Sequence, residues 1–250
     1  MKKLLCSQVA VLASLMAGAE TFVWNPSARL ATYGAATVRY ADDSDAVTEV
    51  LVAAQAGEDG RVEFTGDDAF AFAPDAAVKL TGGELDLKNA STTLNLGQRV
   101  SLAGRPTLAP SATRTIALRA GLDVAPDTAL TVKGAGTVQV KDSLPLDGEL
   151  TIDGTTFRVL AGASLLPAVN RTTPLKVKVT NGGALRIENI QARIAAPLDL
   201  ELSSGGKVSF PYGENNGIYA RSCVIAHRLV LDGVEQPKGR YQGTTGGTYV

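Results

Sequence analysis

Lys79-Leu-Thr-Gly-Gly-Glu-Leu-Asp-Leu-Lys-Asn89 and Lys178-Val-Thr-Asn-Gly-Gly-Ala-Leu-Arg-Ile-Glu-Asn189 are alike in pattern, with one inserted Asn in the second. Their kernel, Gly-x-(Leu/Val)-x-apolar, returns along the chain. It reads Gly60-Arg-Val-Glu-Phe64, Gly83-Glu-Leu-Asp-Leu87, Gly136-Thr-Val-Gln-Val140, Gly148-Glu-Leu-Thr-Ile152, Gly183-Ala-Leu-Arg-Ile187 and Gly206-Lys-Val-Ser-Phe210. Each copy is a turn residue followed by period-2 alternation. Both apolar side chains then share one face of a strand, and the polar ones take the other. A single copy buries little, so it needs neighbours of its own kind.

Spacing says how the neighbours meet. Gly60 to Gly83 and Gly183 to Gly206 are both 23 residues, a length typical of a repeat unit. Between the copies lie strands of three to five residues, broken by Gly-Gly, Asp-Gly, Asn-Gly and Pro signals. Such strands are short for a sandwich and suit the sides of a coil stacked at about 4.8 Å per turn. The expected fold is therefore all-β, a parallel β-helix with irregular rungs, and an antiparallel β-sandwich is the alternative. The 12-residue interval from Gly136 to Gly148 marks irregular stacking near Gly136 to Ile152.

Around this body the chain divides into four parts. Lys2-Lys3, the apolar run Leu4 to Met16 and Ala17-Gly18-Ala19 read as a signal peptide over 1–19, cut before Glu20. The run is too short for a comfortable membrane span, so no transmembrane segment is expected after cleavage. Residues 20–59 are less regular and read as an N-terminal cap that shields the first rung, with Val47 to Ala56 open to helix or strand. The solenoid body covers 60–221. In 222–250 a longer strand, Val224 to Leu231, meets the hairpin signal Asp232-Gly233, which gives a C-terminal hairpin or cap.

Composition narrows function. The chain has 250 residues and a net charge of −1, which gives no overall field for nucleic acid or an anionic membrane. Once the signal peptide is removed, Cys223 is the only cysteine, so an internal disulfide is impossible.

Few residues point to chemistry. His227 follows Cys223 by four, with Ser222 and Asp232 nearby. On a strand, a four-residue separation is about 13 Å, beyond nucleophile–base reach. Asp42-Asp43-Ser44-Asp45 and Asp67-Asp68 are dense in hard oxygen donors, but they lack a calcium-loop pattern and read as turns. Glu84, Asp86, Glu149 and Arg186 fall on outward positions of the repeated phrase, where solubility accounts for them. A polysaccharide-cleaving groove would need Glu84 and Asp86 to converge with Arg99 and Arg105. Aromatic platforms for sugar stacking are limited to Trp24, Tyr212, Tyr219 and Tyr241, the candidate ligand-binding residues. No metal site, cofactor or catalytic constellation is expected.

Leu229-Val-Leu-Asp-Gly-Val-Glu-Gln-Pro-Lys-Gly-Arg-Tyr241 resembles the closing segment (V-D-G-V-x-x-P-x-G-x-Y) of secreted bacterial proteins built from autotransporter-passenger-type β-strand repeats. Their body phrase, a glycine turn followed by x-Leu-x-Ile, is similar to the kernel above. The resemblance implies an exported, right-handed β-helix with no catalytic residues to carry over. A C-terminal translocator barrel is not expected, because no long run of barrel strands with aromatic girdles follows. The expected role is a non-catalytic structural or adhesive protein, secreted or held at the cell surface or in the periplasm. Glycans or cell-surface components are its possible partners, and a carbohydrate-binding module or a polysaccharide-cleaving β-helix is the alternative.

Overall fold

The computed structural model describes residues 23–25, 30–40, 47–55, 58–64, 72–88, 93–97, 100–166, 174–188, 193–194, 198–210, 226–239 and 248–249. Every regular element among them is a strand. From Arg61 onward, the chain winds through three faces in turn and returns to the first. Strands therefore pair with the preceding coil in parallel, as a parallel β-helix requires and a sandwich of hairpins does not.

The long face is an 11-stranded sheet. Its parallel portion contains Arg61–Phe64, Glu84–Leu87, Thr107–Pro110, Ala129–Lys133, Glu149–Asp153, Leu175–Thr180, Leu198–Leu202 and Ala226–Leu231. The second face stacks Thr93–Leu96, Thr115–Leu118, Thr137–Val140, Thr156–Val159, Ala184–Ile187 and Lys207–Ser209. The third face begins with Val47–Val52, Phe72–Leu80, Val100–Leu102 and Asp123–Val124. It resumes as a separate sheet with Ser143–Pro145, Ser164–Leu166 and Arg193–Ile194.

The alternation seen in sequence becomes ladders inside the coil. On the long face, Val62, Leu85, Leu108, Val132, Ile152, Val179 and Leu202 stand in register, each almost wholly buried. On the second face, Leu94, Ile116, Val138, Phe157, Leu185 and Val208 do the same. Stacking like on like removes apolar surface from water, and closes the strand hydrogen bonds at the same time.

The glycine phrase marks corners of the coil. Gly60, Gly83 and Gly148 lead into long-face strands, whereas Gly136, Gly183 and Gly206 lead into second-face strands. The 12-residue interval therefore separates corners on different faces of neighbouring coils. Close packing is what demands glycine. A Cβ on Gly60 would lie 2.6 Å from the Ala35 carbonyl oxygen, and one on Gly183 would lie 2.8 Å from that of Ile152. At Gly83, Gly136, Gly148 and Gly206 it would collide with a carbonyl of Gly60, Ser111, Thr128 and Val179 respectively.

The stacking also varies in length. Val132 to Ile152 is a step of 20 residues, and Ile152 to Val179 is a step of 27. The short coil coincides with the break in the third face, and Phe157, fully buried, fills its interior.

Within the body three strands escape a reading by alternation, Thr107–Pro110, Ser143–Pro145 and Ser164–Leu166, and in the N-terminal part Leu30–Tyr33 and Glu58–Asp59 do as well. Proline normally demotes a strand because it cannot donate to the ladder. Here Pro106 and Pro110 still accept, from the amides of Thr131 (3.0 Å) and Gly136 (2.9 Å). Val47–Val52 resolves as a strand.

Both ends depart from the parallel pattern. Val23–Asn25, Leu30–Tyr33 and Arg61–Phe64 pair antiparallel in series, and Ala36–Tyr40 runs antiparallel to Val47–Val52. At the other end, Val234–Glu235 folds back on Val230–Leu231 through Asp232 and Gly233. Both turn residues have positive φ (47° and 82°), as a type I′ turn needs. Thr248–Tyr249 pairs antiparallel with Val208–Ser209.

Candidate functional site

The most organised group of charges lies on the outer surface of the long face, near its N-terminal end. Alternation puts Arg61, Glu63, Glu84 and Asp86 on the outward side of two neighbouring strands, with Arg61 beside Glu84 and Glu63 beside Asp86. Arg61 Nη2 donates diagonally to Asp86 Oδ2 at 2.5 Å and lies 3.0 Å from Glu63 Oε2. Lys88 Nζ is 3.2 Å from Glu63 Oε1, and Lys133 Nζ is 2.5 Å from Glu84 Oε2. The Tyr33 ring, from the antiparallel strand alongside, sits 5.6 Å from the Arg61 guanidinium carbon. Three carboxylates thus face three cations.

The site's outward position is deceptive. Glu63 is only 6% exposed and Asp86 8%, so Asp86 is not the solvated wall residue expected from alternation. Arg61 lies across it and excludes water. Burial pushes the Asp86 carboxyl above its ordinary range, and the Arg61 hydrogen bond and charge only partly offset this. Burial works against the charge on Arg61, but Asp86, Glu63 and Glu84 outweigh it and raise its value.

Carboxylates two positions apart on a strand are separated by about 7 Å, within the range of an inverting glycosidase pair. Here each carboxylate is already held by a cation. That arrangement locks neighbouring rungs and the N-terminal strands together.

Of the cations that a cleaving groove would need beside Glu84 and Asp86, Arg105 is exposed at the corner before Thr107 and forms no ion pair among the described residues; Arg99 lies outside them. Arg61 and Lys133 take that role instead. Sequence offered one signal for it, the Arg-x-Glu and Glu-x-Asp patterns in copies 23 residues apart. Lys133 carried no such signal, because only the coil brings it two strands over.

The other candidates scatter. His227 is exposed, with Nδ1 3.0 Å from Asp199 Oδ1 on the adjacent rung. Trp24 lies in the strand Val23–Asn25, opposite Ala31. Tyr212, Tyr219, Tyr241, Ser222, Cys223, Asp42 to Asp45, Asp67 and Asp68 lie outside the described residues. Glu149 is exposed on the long face, and Arg186 is half-buried on the second. Among the described residues, no group of His, Cys, Asp and Glu is arranged to hold a metal, and no helix is long and apolar enough to cross a membrane.

Several remaining acids serve the corners. Asp142 Oδ2 accepts from the Ala120 amide (3.0 Å) and Asp147 Oδ1 from the Asp127 amide (3.0 Å); Asp232 Oδ1 accepts from the Ser204 amide (3.1 Å). Each carboxylate satisfies a turn amide of the preceding coil that the ladder leaves over. Comparison with protein-family models, curated proteins and solved structures finds no match to this chain.

Proposed function

We propose that the chain is an exported, non-catalytic structural or adhesive β-solenoid that displays its outer faces to glycans or other cell-surface components. The observation that carries this reading is the Arg61 cluster. The most organised carboxylates of the described surface are tied into ion pairs between rungs, which suits a rigid wall and hinders acid–base work. The export half rests on the basic, apolar and small-residue series of 1–19, and the resemblance of 229–241 to secreted β-repeat proteins supports it.

Expression in a bacterial host tests both halves. Mass spectrometry of the exported product should give an N-terminus at Glu20. The purified protein should release neither reducing ends nor unsaturated sugars from a polysaccharide panel, with or without added divalent cation. Retention in the cytoplasm with residues 1–19 intact would overturn export, and product release would overturn the non-catalytic reading in favour of a polysaccharide-cleaving β-helix.

A further inference from the structure

Charge on the second face is distributed differently from the rest of the molecule. Five successive coils each present one cation outward there: Arg119, Lys141, Arg158, Arg186 and Lys207. The backbone bonds from Arg119 to Leu96 and from Lys141 to Leu118 extend the ladder, so these two stand in one outer column. Arg158 and Arg186 stand directly in register in the next column, and Lys207 continues in the third. The file therefore runs diagonally across the face, advancing one rung, about 4.8 Å, per charge. Neighbours in one column are about 4.8 Å apart and diagonal neighbours about 8 Å, comparable with the Debye length of about 8 Å at physiological salt, so their fields overlap.

Two described carboxylates accompany this file: Asp142, at the corner after Lys141, whose Oδ2 is held by the Ala120 amide, and Glu188 on the face itself. For Glu188 the partners are arginines. Its Oε1 accepts from Arg158 Nε at 2.9 Å and lies 2.9 Å from Arg186 Nε, outside hydrogen-bond geometry. One anion thus serves two guanidiniums. Arg119, Lys141 and Lys207 form no ion pair among the described residues; Arg119 donates only to Asn95 Oδ1 (3.0 Å). The remaining outward positions are small or neutral, including the in-register column Thr93, Thr115, Thr137 and Thr156 and the amides Asn95 and Gln139.

We propose that the second face binds a linear, carboxylate-bearing polysaccharide along this file. The partner's charge follows from the excess of cations over carboxylates, and its extended shape from their one-per-rung spacing on a flat sheet. Arg forks suit carboxylates, while the Thr hydroxyls and the Asn and Gln amides suit sugar hydroxyls. Nucleic acid is disfavoured, because no outward aromatic side chain stands among the described residues of the file and the chain's net charge is −1. A lipid surface is disfavoured, because the described residues of the face include no large exposed apolar side chain to insert. The proposal names the ligand of the adhesive reading and rests on it.

The test measures retention of the purified protein on polygalacturonate and on its methyl ester, which removes the charge from the same backbone. Parallel arms use duplex DNA and vesicles of equal phosphatidylcholine and phosphatidylglycerol. Binding to polygalacturonate should exceed binding to the ester, fall with salt, and drop about tenfold in Arg119→Gln/Lys141→Gln/Lys207→Gln, which breaks no ion pair of the described residues. Arg105→Gln/Lys176→Gln/Lys238→Gln removes the same charge elsewhere and should bind as the parent does. Equal losses in the two variants, no binding to the polyuronate, or tighter binding to DNA or vesicles would each overturn the proposal. Cleavage of the polymer with variant-sensitive binding retained would instead overturn the non-catalytic reading alone.

Discussion

Arg61 and Asp86 are 25 positions apart in the chain, yet Arg61 Nη2 donates to Asp86 Oδ2 at 2.5 Å across neighbouring rungs. The pair is diagonal: directly across from Arg61 is Glu84, and across from Asp86 is Glu63. One guanidinium therefore compensates carboxylates on two strands under the Tyr33 ring, where the antiparallel N-terminal strands meet the parallel coil.

Removing that guanidinium leaves two nearly buried carboxylates short of a cation. Arg61→Met is expected to destabilise the fold by about 1–3 kcal/mol, less than for a fully buried pair because Arg61 is itself partly exposed. Urea denaturation of both proteins measures it, and a double-mutant cycle with Asp86→Asn should show coupling. Additive losses would mean the two residues act separately.

The same pair sets an acid-range signature. Burial raises the Asp86 carboxyl, so the folded state holds its proton more tightly than the unfolded chain does. Stability from this group is fully present below the ordinary aspartate value and is lost as pH rises through the raised folded value. Asp86→Asn should remove this component. Arg61→Met should move it to higher pH, because the cation favouring the ionised form is gone. Denaturation curves from about pH 3 to 7 would show it. Parallel profiles for parent and Asp86→Asn would contradict this account.

The corner glycines separate two reasons for glycine. A Cβ at Gly148 would strike the Thr128 carbonyl of the coil below, whereas one at Gly182 would meet open space and only the strain of φ +74°. Gly148→Ala should cost more than about 2 kcal/mol or prevent folding, and Gly182→Ala about 1 kcal/mol. Thermal unfolding of the pair decides this, and equal costs would rule out close approach as the cause.

Phe157 is fully buried in the shortest coil, between Val138 and Leu185 in the second-face ladder. Phe157→Ala should destabilise by about 3–5 kcal/mol, and Phe157→Leu by much less. A small loss on truncation to Ala would show that the short coil collapses to fill the space.

Periodicity alone was enough to read strand existence and stacking, because alternation is local and a 23-residue return requires only a constant coil length. Glu84–Leu87, Thr93–Leu96, Thr137–Val140 and Ala184–Ile187 are legible to the residue. Thr107–Pro110 is not, because its proline reads locally as a break, and the strands that flank it on both sides are brought there only by the coil. Trp24, Tyr212, Tyr219 and Tyr241 are candidates on their chemistry alone, which says nothing of what stands beside them.

The chain's own order therefore determined that this protein is a stack of short strands with an apolar inside, since which side chains alternate is written residue by residue. Only the tertiary structure decided which outward charges become neighbours. Each rung shifts the register by 19 to 29 residues, so Lys133 reaches Glu84, Glu188 bridges Arg158 and Arg186, and the cations of five coils fall into one file. Those juxtapositions depend on coil length summed around three faces, a quantity no local pattern carries.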